Sequence, residues 1–129
     1  MIDPVTPTTL YVGTTTGVYK STNGDGNWIV LNTGLDNTYV YDLVIDAATP
    51  TTLYATTKTG LYKSSNGGAT WHPRNTGLLG NSQADSYAQV LALDSATPHT
   101  LYVGTQGGGI FARQDVEYRM NLPFTRRDK

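Results

Sequence analysis

One ten-residue phrase occurs three times in this chain, and that repeat constrains the fold more than any single residue does. Ile2, Asp3, Thr6, Pro7, Thr9, Leu10 and Tyr11 return as Ile45, Asp46, Thr49, Pro50, Thr52, Leu53 and Tyr54. They return again as Leu93, Asp94, Thr97, Pro98, Thr100, Leu101 and Tyr102. The spacings are 43 residues (2 to 45) and 48 residues (45 to 93). Each unit is too short to bury a core alone, so neighbouring units must stack and share one.

The middle unit reads as four short strands. Residues 40–46 are apolar and β-branched, as in a buried inner strand. Pro50 fixes the next turn, and residues 53–57 form a second strand. Residues 61–64 alternate apolar and polar, which predicts a half-buried third strand. Asn66, Gly67 and Gly68 tolerate the positive φ of a tight turn. Residues 70–74 give a short outer strand, where Pro73 suits an edge. Threonine, tyrosine and glycine recur, and Glu117 is the only glutamate, so strands rather than helices are expected.

Four antiparallel strands in some 40–50 residues is the size of a β-propeller blade. The fold class is therefore all-β, with about three blades and an incomplete ring in a single chain. Blade one covers 2–38, blade two 39–86 and blade three 87–112, and 113–129 form an atypical C-terminal strand or tail. Propellers close with four to eight blades. This chain then needs either copies of itself, as a homo-oligomer, or the missing blades of a larger propeller.

Composition narrows the partners. A net charge of -1 with 15% charged residues gives no electrostatic attraction for nucleic acid or an anionic membrane. No apolar run approaches the roughly 20 residues of a membrane-spanning helix. The chain has no cysteine, so it has no disulfide framework and no thiolate metal site. Met1 leads straight into the first repeat without a signal-peptide pattern. The Asn23-to-Asn27 segment echoes a calcium loop, but the twelfth position is Gly34, so no metal and no cofactor are expected.

Residues 64–71 resemble the Asp-box, or BNR, motif: a serine, an aspartate, a glycine and a Thr-Trp pair at fixed spacing. Ser64, Gly68, Thr70 and Trp71 match, and Asn66 stands for the aspartate. Residues 21–28 are a weaker copy that keeps Ser21 and Trp28, with Asn23 at the aspartate position and Asp25 and Asn27 in place of glycine and threonine. The resemblance implies propeller blades like those of sialidases, sortilin, xyloglucan-cleaving glycosidases and photosystem II assembly factors. It favours a secreted or periplasmic protein. The motif is structural: the Asp or Asn side chain closes a turn, the glycine takes positive φ, and the tryptophan packs between sheets.

Catalytic chemistry is sparsely represented. Glycoside hydrolysis needs two carboxylates flanking one bond. Asp3, Asp46 and Asp94 share one repeat position, which assigns them to strand ends and turns. Asp42 is not repeated, since Val90 aligns with it, so it stands out as a channel-lining acid. The arginines, Arg74 apart, cluster in the tail, which does not suit a sialidase site. His72 and His99 read as surface residues. Tyr11, Tyr54 and Tyr102 repeat strictly and are assigned to the core. The candidate ligand-binding residues are Tyr39, Tyr41, Asp42 and Tyr87 near the inner strands, with Asn81, Gln83 and Asp85 in a five-residue extension before blade three. The functional expectation is a non-catalytic binding or scaffold module for protein or glycan ligands. The alternative is a fragment of a secreted glycoside hydrolase, sialidase-like or xyloglucanase-like, with its catalytic acids in missing blades.

Overall fold

The computed structural model describes residues 1–24, 26–36, 38–74, 87–94, 100–106 and 109–114. These residues form three antiparallel sheets and no helix. The first contains β1 (Leu10–Thr14), β2 (Gly17–Ser21) and β3 (Ile29–Val30). The second contains β4 (Val40–Ile45), β5 (Leu53–Thr57), β6 (Gly60–Ser64) and β7 (His72–Pro73), side by side in chain order. The third contains β8 (Tyr87–Asp94), β9 (Thr100–Gln106) and β10 (Gly109–Gln114). These are blades one, two and three. An inner strand for blade one is represented by a single bridge, Ile2 to Leu10. The segment expected to supply an outer strand to blade three lies outside the described residues beyond Gln114.

Repeated sequence gives repeated register. Tyr11 faces Lys20 across β1 and β2, and Tyr54 faces Lys63 across β5 and β6. Both hairpins turn through two residues, and Gly17 and Gly60 sit at φ near 128° and 131°. A hydroxyl chain fixes each tip. Thr14 pairs with Thr16 at 3.1 Å and Thr16 with Tyr19 at 3.0 Å. Thr57 pairs with Thr59 at 3.1 Å and Thr59 with Tyr62 at 3.0 Å. Inner strands β4 and β8 are each bulged at equivalent residues, Tyr41 and Gln89.

Two apolar clusters hold the stack together, one per junction. Tyr11 and Val18 of blade one pack with Leu43, Ile45, Leu53, Ala55, Tyr62 and Trp71 of blade two. Tyr54 and Leu61, from the other face of blade two, pack with Leu91, Leu101 and Val103 of blade three. Blade two is thus covered on both sides, and every residue of β5 and β6 is buried. The alternation in β6 does not produce a half-buried strand, because a second blade covers its polar face as well. Lys63 is accommodated there with its ammonium 5.7 Å from the centre of the Tyr54 ring.

Close approach of the blades needs glycine at particular points. A Cβ on Gly13 would lie 2.6 Å from Cγ1 of Val40, and one on Gly34 would lie 2.2 Å from the Trp71 carbonyl oxygen.

Tyr102 departs from its expected place. Tyr11 and Tyr54 are each 2% exposed, but Tyr102 is 43% exposed. Its ring lies on the face of blade three that points away from blade two, where no described residue covers it.

Candidate functional site

The start of inner strand β4 carries two neighbouring tyrosines, Tyr39 and Tyr41. Val40 pairs with Thr57, the last residue of β5, which brings this end of β4 beside the tip formed by Lys58 and Thr59. Tyr39 and Tyr41 are two residues apart, and their rings approach to 5.3 Å between centroids at an interplanar angle of 54°. Lys58 places its ammonium 4.7 Å from the centre of the Tyr39 ring. Tyr39 is exposed and Tyr41 half-buried. Because Tyr41 occupies the bulge, it is released from strict pairing. The result is a tilted two-ring platform with one cation over the Tyr39 ring. Tyr39 and Tyr41 were legible as ligand candidates; Lys58 was not, because its role depends on cross-strand register.

Asp42 lies next to this platform and joins two blades. One carboxylate oxygen accepts the Leu43 amide at 2.8 Å. The other accepts the Leu91 amide of blade three at 2.8 Å. Thr56, the cross-strand partner of Asp42, donates its hydroxyl to the Gln89 carbonyl at 3.0 Å. Two neighbouring side chains of blade two thus grip both sides of the β8 bulge. Asp42 also borders an open cleft of about 260 Å³, together with Met1, Tyr11, Val12, Gly13, Tyr41 and Leu43. Its carboxylate is held by main-chain donors on both oxygens.

The remaining carboxylates in this region act locally. Asp3 accepts the amides of Val5 and Thr6 at 2.8 and 3.1 Å. Asp46 accepts those of Ala48 and Thr49 at 2.9 and 3.4 Å. Both therefore close the turn after an inner strand, as their repeated position implies. Tyr87 opens β8. Asn81, Gln83 and Asp85 lie outside the described residues.

The serine–asparagine turns are built alike. Ser64 donates to Asn66 Oδ1 at 2.9 Å and accepts the Gly68 amide at 2.8 Å, while Asn66 Oδ1 accepts the Thr70 amide at 3.0 Å. Gly68 has φ of 92°. Ser21 donates to Asn23 Oδ1 at 2.9 Å, and that oxygen accepts the Gly26 and Asn27 amides at 3.0 and 3.1 Å. The tryptophans that follow diverge. Trp71 is 2% exposed and donates its indole N–H to the Leu31 carbonyl of blade one at 3.0 Å. Trp28, expected to pack likewise, is 40% exposed. The side of blade one into which it would pack has no described neighbour.

Stacked antiparallel sheets of three and four strands define the class: these are blades of a β-propeller. Solved structures agree on the fold. The chain is similar to a GH74 enzyme from Niastella koreensis, with 24% identity and a TM-score of 0.67 over 88% of this chain and 19% of that one. It is also similar to the GH74 xyloglucanase from Xanthomonas campestris, with 19% identity and a TM-score of 0.59 over 86% and 19% of the two chains. An ancestral GH74 enzyme matches at 23% identity and a TM-score of 0.57, over 80% and 14%. The chain therefore spans about a fifth or less of the length of these structures. No protein-family model matches it, and no curated protein sequence gives a significant match.

Proposed function

We propose that this chain is a segment of Asp-box blades from a β-propeller glycoside hydrolase of the GH74 kind, and that its platform of Tyr39, Tyr41 and Lys58 contacts the polysaccharide. The observation that carries this reading is the tilted tyrosine pair at the start of an inner strand, with centroids 5.3 Å apart and an ammonium over the Tyr39 ring. Pyranose rings present flat C–H faces to aromatic side chains, and a lysine beside them donates hydrogen bonds to hydroxyls. The three similar structures are all glycoside hydrolases by name, and one is a xyloglucanase. Xyloglucan, a branched β-glucan, is therefore the ligand to try first.

In this reading the segment binds and does not itself cleave. Hydrolysis needs one carboxyl group to protonate the leaving oxygen and another to act on the opposite face of the sugar. Asp42 is the acid nearest the platform, and two backbone amides occupy its oxygens. The reacting carboxylates then belong to other blades.

Titration of the chain with xyloglucan oligosaccharides, followed by NMR shifts and calorimetry, tests the proposal. Shifts centred on Tyr39, Tyr41 and Lys58 are expected. Tyr41→Ala should weaken binding about five-fold, the scale of one aromatic stacking contact. Absence of binding to any β-glucan at millimolar ligand would refute the reading.

A further inference from the structure

Inner strands β4 and β8 break their ladders at the same repeat position. β4 is bulged between Val40 and Asp42, and β8 between Ala88 and Val90, so Tyr41 and Gln89 are the extra residues. They stand 48 positions apart (41 to 89), the offset that relates blades two and three throughout. A bulge re-aims its extra residue out of the ladder, and bulges are over-represented beside functional sites for that reason.

Blade two ties the two bulges together. One oxygen of Asp42 accepts the Leu43 amide beside the Tyr41 bulge, and the other accepts the Leu91 amide beside the Gln89 bulge, both at 2.8 Å. Thr56 donates its hydroxyl to the Gln89 carbonyl at 3.0 Å. These three hydrogen bonds fix the backbone of Gln89 relative to that of Tyr41.

The same offset carries the rest of the platform onto blade three. Tyr39 corresponds to Tyr87 (39 + 48) and Lys58 to Gln106 (58 + 48). Tyr87 and Gln106 are paired across β8 and β9. Blade three therefore keeps one tyrosine and exchanges the second ring and the cation for two amides. The chemistry changes with that exchange. An aromatic ring stacks on a sugar face without fixing the direction of its hydroxyls. A glutamine amide holds a donor and an acceptor side by side. That pair matches two neighbouring hydroxyls of a pyranose and depends on their orientation.

We infer that Gln89 is a second polysaccharide contact, and that the bound chain runs from the tyrosines of blade two across the junction onto blade three. This rests on the carbohydrate reading of the Tyr39, Tyr41 and Lys58 platform and adds to it a specificity-determining residue. Blade two holds ring faces, and Gln89 reads the hydroxyls of a sugar further along the same chain. Asp42 and Thr56 set the spacing of the two contacts in advance, so little ordering is needed when a long ligand arrives. A short ligand reaches only the tyrosines.

Cellobiose and cellohexaose, linear β-glucans of different length, test the inference on the 129-residue chain. NMR titrations of the wild type give the ratio of the two affinities. That ratio should fall about five-fold in Gln89→Ala, the scale of one hydrogen bond. It should hold in Tyr41→Ala, which weakens both ligands alike. An unchanged ratio in Gln89→Ala overturns the inference, and a loss in Tyr41→Ala then still supports the platform. Failure of the wild type to bind either glucan removes the platform reading and this inference with it. If Gln89→Ala does not fold, the wild type decides the matter. The Gln89 side-chain amide and the Leu91 amide should shift with cellohexaose and not with cellobiose. Shifts of these two groups that are the same with both ligands, or absent with both, overturn the inference.

Discussion

Asp42 and Leu91 stand 49 positions apart in sequence and are joined by a 2.8 Å hydrogen bond from the Leu91 amide to the Asp42 carboxylate. The bond crosses from blade two to blade three and ends beside the bulge that Thr56 holds from the other side. The acid that stood out because it is not repeated joins blade two to blade three.

Asp42→Asn should therefore weaken the fold. An amide offers one oxygen where the carboxylate offered two, so one of the two amide donors loses its acceptor and faces an N–H. The expected cost is about 1–3 kcal/mol, the penalty for an unsatisfied partly buried group. Urea unfolding should show a lower midpoint, and the Leu91 amide should exchange faster in deuterium.

Ser64→Ala should be costly at the turn before Trp71. The Ser64 hydroxyl is fully buried, accepts the Gly68 amide and donates to Asn66. Removing it strands the Gly68 N–H in a buried turn, for about 1–3 kcal/mol. Thermal unfolding of the variant should show the loss.

Two glycines with similar dihedrals separate backbone strain from contact. Gly24 has φ of 89° and nothing within 4 Å of a new Cβ, whereas Gly34 has φ of 97° and a Cβ there meets the Trp71 carbonyl at 2.2 Å. Gly24→Ala should cost about 1–2 kcal/mol, the left-handed penalty alone. Gly34→Ala adds a steric term of about 1–3 kcal/mol. Equal destabilisation of the two variants in urea would show that the blade junction yields freely at Gly34.

Trp71→Phe keeps an aromatic ring between blades one and two but removes the donor to the Leu31 carbonyl. The cost should be about 1–3 kcal/mol from the unpaired acceptor and the smaller ring. Chemical denaturation of the variant checks it.

Much of the fold was legible because it is written locally. Leu53–Thr57 forms a strand with the bounds its sequence implies, and Pro73 ends at a sheet edge. The serine–asparagine turns close as Ser64 and Asn66 suggest, since their bonds span four residues or fewer. The site was legible in part. Tyr39 and Tyr41 could be chosen because they lie at the start of an inner strand, but Lys58 reaches Tyr39 only through the β4–β5 register.

What the sequence determined by itself is the repeat: its strands, turns and register, and hence the class of fold. Those follow from dihedral preference, side-chain alternation and hydrogen bonds between near neighbours. Burial was decided only by the tertiary structure. Tyr54 and Tyr102 occupy the same place in the repeat, yet one is 2% and the other 43% exposed. Trp71 and Trp28 differ in the same way. A repeat specifies which face a side chain occupies, but water is excluded from that face only where another blade is stacked upon it.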